Sequence, residues 1–294
     1  MCDLRTVKEI GGDALEQFIN LADQVFLFDR SRAGTLRERL PGLFRSENEH
    51  NLFALCRNGE VVGTAAVKEF SGRAHHNKYS AAMVGLVAIR EDCRGQGLGA
   101  ELITQVSEEL ARRSLDFCVL WTRASAFYRR AGWFSYDTGV LGYFRNHTPI
   151  FPCIGFSPLD MAAELEQIRN EWLPDINQRR AHDYAAIPSS VERVICVRPR
   201  RKGSAYALAG VQNDMAFIYE FAGDPTHYAE IWGQISSGFR VTRVNERFGA
   251  NTYQWFVSNT SVTWEAQELA MWLLSNTDSH LDVKSVYVPY FDRI

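Results

Sequence analysis

The stretch Met83-Val-Gly-Leu-Val-Ala-Ile-Arg-Glu-Asp-Cys-Arg-Gly-Gln-Gly-Leu-Gly-Ala-Glu-Leu102 decides the fold of this chain. It opens with an apolar run, residues 83–89, which predicts a buried strand. A glycine-rich turn follows at residues 94–99, and apolar residues then recur at helical spacing as far as Leu110. Glycines let the backbone approach a ligand, and the N–H groups and dipole at a helix start attract anions. The unit therefore predicts a pyrophosphate site.

The spacing of the glycines excludes two common phosphate-binding motifs. A Walker A loop requires a Lys-Ser/Thr pair after its second glycine, and Leu98-Gly99 stands there instead. A Rossmann fingerprint requires Gly-x-Gly-x-x-Gly, whereas the glycines here lie at alternate positions, 95, 97 and 99. A different phosphate-binding family is therefore needed to explain the turn.

Two motifs resemble the GNAT N-acetyltransferases. Arg94, Gly97 and Gly99 form the pattern Arg-x-x-Gly-x-Gly. The later block Ala124-Ser-Ala-Phe-Tyr-Arg-Arg-Ala-Gly-Trp133 resembles a helix of the same family that usually ends Phe-Tyr-x-x-x-Gly-Phe. The resemblance implies an α/β fold with a mixed sheet, the GNAT acyl-CoA N-acyltransferase fold. In that fold the central strand and the next strand, residues 115–121, splay apart to admit the pantetheine arm of acetyl-CoA.

The same resemblance implies which residues meet acetyl-CoA. Backbone N–H groups at the end of the central strand hold the acetyl group in the manner of an oxyanion hole. The glycine-rich turn holds the pyrophosphate. The expected cofactor-binding residues are Leu86, Val87, Ala88, Ile89, Arg94, Gly95, Gln96, Gly97, Leu98, Gly99 and Ser125.

Tyr128 is the expected catalytic residue, because it matches the family's tyrosine that protonates the departing thiolate. The general base is left open among Glu69, His75 and His76, and a base is unnecessary if the amine binds neutral. One position departs from the family. Trp121 stands where many members have an asparagine that contacts pantetheine, and Ser125 or Thr122 could take over that contact.

The chain is long enough for two domains, with 294 residues. We expect a catalytic GNAT domain at 1–147, a linker at 148–158 and a degenerate GNAT-like domain at 159–294, in which Asp224 occupies the phosphate position. An unrelated α/β domain is the alternative for the second half. The segment Val140–Phe144 is expected to close the first sheet. The segment Glu265–Leu274 is expected to be a helix, because it is rich in strong helix formers.

Composition and charge limit the classes of partner that we expect for the protein. A hydrophobic fraction of 46% and a charged fraction of 23% are typical of a soluble globular protein. A net charge of -3 gives no reason to expect nucleic acid, and no apolar run is long enough to cross a membrane. The six scattered cysteines and the absence of a signal peptide favour a cytoplasmic protein without a metal.

The predicted reaction is direct transfer of an acetyl group from acetyl-CoA to a primary amine of a small molecule or peptide. Two alternatives remain open, a non-catalytic acyl-CoA sensor or scaffold, and a transferase that uses a longer acyl-CoA or a non-amine acceptor. Three residues of the early helices are candidates to meet the acceptor, Phe26, Phe28 and Arg32. The second domain is expected to wall the acceptor cleft or to carry a homodimer contact.

Overall fold

A computed structural model describes residues 2–74, 77–148, 151–173, 175–200, 203–275 and 282–294. The chain forms two compact units, each with its own mixed sheet. Its strands are β1 Asp3–Thr6, β2 Leu52–Arg57, β3 Glu60–Ala74, β4 Asn77–Ile89, β5 Phe117–Trp121, β6 Phe134–Ser135, β7 Gly139–Arg145, β8 Arg193–Val197, β9 Ala205–Gln212, β10 Met215–Gly223, β11 Val241–Arg247, β12 Thr263–Ala266 and β13 Ala270–Leu274.

The α-helices are mostly short. They are α1 Val7–Ile10, α2 Ala14–Phe26, α3 Leu36–Arg39, α4 Leu98–Ala111, α5 Ser125–Arg129, α6 Ala162–Trp172, α7 Tyr228–Gly238 and α8 Asn251–Asn259. Single turns of 3₁₀-helix lie at Phe28–Arg30, Ser46–Asn51, Glu91–Cys93, Leu159–Met161, Ala181–Ala185, Pro225–His227, Val283–Ser285 and Tyr290–Asp292. Among the described helices, none has the length and apolarity that a bilayer crossing requires.

The first unit is a three-layer structure around a sheet of order β1-β2-β3-β4-β5-β13-β6. The apolar stripe of α4 covers one face of the sheet, with Leu102 and Val106 fully buried in that core. Phe18 and Ala22 of α2 are buried against the other face. The Asn58-Gly59 pair turns β2 into β3 with positive φ angles of 53° and 85°, which a type I′ hairpin turn requires.

The second unit repeats this plan around a sheet of order β12-β7-β11-β10-β9-β8. Its central strand β10 runs antiparallel to β9 and parallel to β11. Ile231 and Ile235 of α7 and Phe256 of α8 are buried on one face of the sheet. Leu165 of α6 is buried on the other. The two sheets therefore share one arrangement, with an antiparallel neighbour on one side of the central strand and a parallel neighbour on the other.

The two units exchange strands, which corrects the expected domain boundaries. The segment 139–145 is a strand, as expected, but β7 lies between β12 and β11 of the second sheet. The strand next to β5 in the first sheet is instead β13, from near the end of the chain. The first unit comprises residues 1–137, 268–285 and 293–294, and the second comprises 138–267 and 286–292. A domain boundary at residue 147 would therefore assign both β7 and β13 to the wrong sheet.

The helix expected at 265–274 is wrong, because that segment contributes β12 and β13. The sequence has high helix propensity, but Met271 and Trp272 are almost fully buried and pair with Leu120 and Val119 of β5. Tertiary packing thus overrides a local preference that is worth only tenths of a kcal/mol per residue. Asp137 fixes the start of β13, because its carboxylate accepts hydrogen bonds of 3.0 Å from the backbone N–H groups of Leu269 and Ala270.

Candidate active site

An open gap lies between the central strand of the first unit and its parallel neighbour. Strand β4 pairs with β5 at only three positions, the last joining Met83 to Val119. Beyond Met83, β4 continues to Ile89 paired with β3 alone. The splayed strands expected from the sequence are therefore present, and they leave one backbone edge of β4 without a strand partner.

A bulge in β4 lies beside this open edge. The register with β3 shifts between Thr64 and Ala66, and Leu86 takes a φ of +49°, which is strained for a branched residue. The Thr64 hydroxyl donates to the Leu86 carbonyl at 2.9 Å and stabilises the bulge. After the bulge, the Arg90 N–H donates to β3 at the carbonyl of Val62.

The direction of the backbone N–H groups past the bulge follows from that bond. Successive N–H groups of a strand point to opposite sides, so those of Ile89 and Val87 point away from β3 and into the gap. This arrangement supplies donors at the position where the sequence placed the acetyl carbonyl.

The glycine-rich turn presents unpaired donors to solvent. Gly95 and Gly97 have φ angles of 75° and 80°, and a Cβ built on either meets nothing within 4 Å. In the described part of the chain, none of the five consecutive N–H groups of residues 95–99 donates to an acceptor. The first intrahelical bonds of α4 are those from Ala100 and Glu101 to the Gly97 carbonyl. Five donors at an exposed helix start make a ready anion site.

Three arginines fix the shape of this turn. The Arg94 guanidinium donates back to the Ile89 carbonyl at 3.0 Å and so ties the turn to the end of β4. Arg57 donates to the side-chain oxygen of Gln96 at 2.9 Å, which places a second positive charge beside the turn. Hydrogen bonds from Arg90 to Asp92 and Glu60 raise the pKa of the Arg90 guanidinium above its ordinary value. The turn is therefore preorganised and flanked by positive charge.

Tyr128 lies on α5, with its ring packed in the core between Phe127 and Trp133. Its hydroxyl has no hydrogen-bond partner among the described residues, and burial raises the pKa of Tyr128 to about 12. The phenol therefore stays protonated throughout the neutral range and keeps its O–H available as a hydrogen-bond donor. Ser125 lies three residues before Tyr128, on the same face of the helix.

The structure thus groups the sequence-predicted cofactor residues in two adjoining places. Leu86, Val87, Ala88 and Ile89 form the end of β4 along the gap, whereas Arg94, Gly95, Gln96, Gly97, Leu98 and Gly99 form the turn and the first residues of α4. The packing of Gly99 links α4 to α5, because a Cβ built on Gly99 would lie 3.4 Å from the Phe127 ring. Strand end, turn and the helix that carries Ser125 and Tyr128 are therefore neighbours.

A comparison with protein families identifies the class of the first domain. Residues 6–135 match the model of the acetyltransferase (GNAT) domain. The chain carries a GNAT acetyltransferase domain. It is therefore an acyltransferase, and the donors that its family uses are acyl-CoA thioesters. A search of the curated proteins gives no match.

Solved structures share the fold of the whole chain. A GCN5-related N-acetyltransferase from Anabaena variabilis is 14% identical with a TM-score of 0.67, over 94% of this chain and 73% of that one. A GCN5-related N-acetyltransferase from Kribbella flavida is 15% identical with a TM-score of 0.63, over 93% and 71%. A tandem GNAT protein from the clavulanic acid biosynthesis pathway is 11% identical with a TM-score of 0.51, over 95% and 100%. The likeness therefore extends to the second unit.

One of the three predicted general-base candidates lies close to the gap. Glu69 forms a 2.8 Å salt bridge with Arg113 and pairs with Ala82, the residue before the last β4–β5 pair at Met83. His75 and His76 lie outside the described residues. Of the residues predicted to meet the acceptor, Phe28 is 53% exposed, while the ring of Phe26 is covered by the Arg30 guanidinium at 5.4 Å. Roles for Phe26, Phe28 and Arg32 stay predictions.

Sequence reasoning missed two residues from the end of the chain that belong to the GNAT domain. The Arg293 guanidinium stacks over the Trp121 ring at 4.5 Å, at the end of β5. Ile294 packs on β4 so closely that a Cβ on Gly85 would lie 2.5 Å from its carbonyl oxygen. Both contacts join positions more than 170 residues apart in the printed sequence, and no local pattern signals them.

The loop after the central strand of the second unit is built differently. The N–H of Asp224 donates to Ser204, the Asp224 side chain accepts from the N–H of Thr226, and the N–H groups of His227 and Tyr228 are also bonded within the turn. Pro225 has no N–H. Gly223 has a φ of +107°, and a Cβ there would lie 2.0 Å from the Ser204 carbonyl oxygen, so the position requires glycine. This loop therefore offers no free donor to a phosphate.

Proposed function

We propose that this protein transfers an acetyl group from acetyl-CoA to a primary amine of a small molecule or peptide. The observation that carries the proposal is the row of five unpaired N–H groups at residues 95–99, next to the open edge of β4. A pyrophosphate on the turn would let the pantetheine arm extend along that edge, as an added strand does. The thioester would then reach the N–H groups of Val87 and Ile89.

The chemistry of the chain's own residues follows from this placement. The N–H groups facing the gap polarise the thioester carbonyl and stabilise the negative charge that develops on its oxygen. Attack by an unprotonated amine forms the C–N bond and then breaks the C–S bond, which releases the thiolate of coenzyme A. The amine nitrogen must lose one proton, and the sulfur takes one up.

Tyr128 supports the departure of the thiolate. With a pKa of about 12, its phenol is a weaker acid than an ordinary thiol, whose reference pKa is about 8.5. Complete proton transfer from the phenol to the sulfur is therefore uphill. Tyr128 acts by donating a hydrogen bond to the sulfur as negative charge builds on it, and the proton released by the amine ends on the thiolate through solvent.

The test is a transfer assay with the full chain. Acetyl-CoA is supplied with separate panels of polyamines, aminoglycosides and short peptides, and free thiol and acetylated product are both measured. We expect thiol release that depends on an amine and matches the acetylated product in amount. Hexanoyl-CoA in place of acetyl-CoA tests the length of the acyl group. Tight acetyl-CoA binding without turnover on any panel would contradict the proposal and favour an acyl-CoA sensor.

A further inference from the structure

The second unit contains a cavity of about 210 Å³ where its central strand and the parallel neighbour separate. Strand β10 pairs with β11 only as far as Ile218 and Val244. Beyond this point, Tyr219, Phe221 and Glu246 line the cavity, and Trp172 lines it from α6. The cavity thus occupies the same place in the second unit that the pantetheine gap occupies in the first. Since the adjoining loop offers no donor to a phosphate, the cavity requires a different ligand.

The size of the cavity limits the ligand to a small molecule. A dry cavity of roughly 150 Å³ holds a benzene molecule, and drug-sized ligands need about 300 Å³ or more. A volume near 210 Å³ therefore suits a single ring with a short side chain. Trp172 is 39% exposed, which is high for a tryptophan beside a cavity, and an apolar ligand would cover part of it.

Most of the charge around the cavity is already compensated. Burial alone would raise the pKa of Glu220, but the charges of Arg179 and Arg169 lower it below the ordinary value. Arg179 also binds Asp292 at 2.6 Å, so two arginines match two buried carboxylates. Three other charged residues line the cavity, Asp175, Arg247 and Glu246. Asp175 and Arg247 carry equal and opposite charges.

Glu246 is the group without charge compensation. It is 6% exposed, and its carboxylate accepts a 2.8 Å hydrogen bond from Thr252. No lysine, arginine or histidine of the described residues forms a salt bridge with Glu246. Burial, partly offset by the bond from Thr252, raises the pKa of Glu246 to about 8. When Glu246 is ionised, the cavity lining therefore carries one uncompensated negative charge.

We propose that the cavity of the second unit binds a small primary or secondary amine, with the ammonium group paired to Glu246 and the apolar body among the aromatic side chains. Trp172, Phe221 and Tyr287 provide the apolar walls. The ammonium group would compensate the charge of the ionised Glu246 carboxylate and add a charge-assisted hydrogen bond. The site is independent of acetyl transfer in the first unit, and its occupancy does not require acetyl-CoA.

The first experiment is a calorimetric titration of the full chain with 2-phenylethylamine, and with 2-phenylethanol as the neutral isostere. We expect saturable binding of the amine with a Kd of about 1 mM or tighter, and at least about tenfold weaker binding of the alcohol. Glu246→Gln keeps the Thr252 contact but loses the charge, and should weaken the amine at least about tenfold while leaving the alcohol unchanged. Glu192→Gln, the same change outside the cavity, should change nothing.

The pH dependence separates an ammonium ligand from a neutral one. The titratable groups that face Glu246 from neighbouring elements are Glu220, Asp175, Arg247 and Tyr228. An ammonium ion must displace the proton of Glu246, so amine affinity should rise by roughly tenfold or more between about pH 6.5 and about pH 8.5. A neutral ligand that accepts the carboxyl proton would instead bind more weakly at the higher pH.

A filled cavity provides the last control. Ala250→Phe inserts a ring into the cavity and should abolish binding of both probes, with a thermal melt that shows the variant is folded. The proposal is overturned by equal affinity for amine and alcohol, by undiminished amine binding in Glu246→Gln, or by no saturable binding to the wild-type chain. Unchanged acetyl transfer in Glu246→Gln is compatible with the proposal, because the site is not part of the transferase machinery.

Discussion

The same strand–turn–helix unit occurs twice in this chain, at 77–111 and at 215–238, and the two copies differ in the hydrogen bonding of their turns. Both copies have a central strand that pairs with a parallel neighbour over a few residues and then separates from it. Both have a register shift in the central strand next to that separation. The difference lies in the turn. Residues 95–99 leave all their N–H groups free, whereas the N–H groups of the second turn are bonded within the protein.

The comparison shows that the fold of the strand–turn–helix unit does not by itself determine whether the N–H groups of its turn are free to bind a ligand. Strand pairing and helix packing are carried by apolar residues and survive in both units. Phosphate binding depends on where a few N–H groups point, and one aspartate followed by a proline is enough to turn them inward. A turn whose N–H groups are all bonded internally is therefore compatible with the same fold. It also leaves a gap whose lining is free to acquire another ligand.

The largest expected effect comes from blocking the first turn. Gly97→Glu places a side chain and a negative charge where a pyrophosphate would lie, at a position with a φ of 80°. We expect acetyl-CoA affinity to fall at least about 100-fold by calorimetry, since several charge-assisted bonds are lost. Gly12→Glu is the matched control, because Gly12 also has a positive φ and an exposed, open environment. Equal loss in both variants would show that backbone strain, not the phosphate site, is responsible.

The exchanged strand provides the next test. A chain that ends at His147 lacks β13, whose Trp272 ring packs on Phe117 at 5.2 Å. We expect this fragment to aggregate or to melt without cooperativity, because β5 is left as an exposed edge. Joining Asp137 directly to Glu268, with residues 268–275 retained, should restore a cooperative thermal melt. A folded, monomeric fragment 1–147 would show that the first sheet does not need β13.

Tyr128→Phe tests whether the Tyr128 hydroxyl of the first unit contributes to catalysis. The change keeps the ring packing and removes only the hydroxyl, so kcat should fall about 10- to 100-fold with little change in the KM for acetyl-CoA. Tyr128→Ala is expected to lower the melting temperature as well, through a cavity beside Phe127 and Trp133. A wild-type kcat in Tyr128→Phe, with chemistry shown to be rate-limiting, would assign thiolate stabilisation to another group or to solvent.

The second gap has its own expected signature in stability. Burial raises the pKa of Glu246 from 4.5 to about 8, so the folded protein keeps a proton that the unfolded chain releases between these values. The free energy of unfolding should therefore fall as the pH rises through this range. Glu246→Gln has no carboxyl proton to lose. The free energy of unfolding of the variant minus that of the wild type should therefore be higher at pH 9 than at pH 4 by about 2–5 kcal/mol. Urea midpoints at the two pH values check this, and a pH-independent difference would contradict it.

The smallest expected effect is a null result in the second turn. Asp224→Ala removes the carboxylate that caps Pro225–His227 and frees one N–H, that of Thr226, while Pro225 still has none to offer. We expect calorimetry to give one acetyl-CoA per chain both for the wild type and for this variant. A second equivalent in either protein would break the comparison, because it would mean that the closed turn can open to a phosphate.

Much of this architecture could be predicted from local patterns. The hairpin at Asn58-Gly59, the strand before the glycine-rich turn and α4 follow from turn chemistry and apolar periodicity, which act over a few residues. The segment 265–274 could not be predicted, because its residues favour a helix and only pairing with β5 makes it a strand. Likewise, the contact of Arg293 with Trp121 depends on a chain reversal that no spacing encodes.

The candidate site divides along the same line. Ten of the eleven predicted cofactor residues lie within the single stretch Leu86–Gly99, so a motif could indicate them together. The cavity around Glu246 draws on α6, β10, β11 and the segment near Tyr287, which are far apart along the chain. Its carboxylate looks like an ordinary surface glutamate in the sequence, and only burial distinguishes it.

The exchanged strand also has a consequence for synthesis on the ribosome. Domains generally fold as they emerge, but the first sheet cannot be completed until β13 is made, about 150 residues after β5. At typical elongation rates of 5–20 residues per second, β5 waits roughly 7–30 s with an open edge. During that interval the nascent chain exposes an apolar strand edge, Phe117 to Trp121, to other chains. Chaperone capacity during translation should therefore limit the yield of this protein more than the final stability of either sheet.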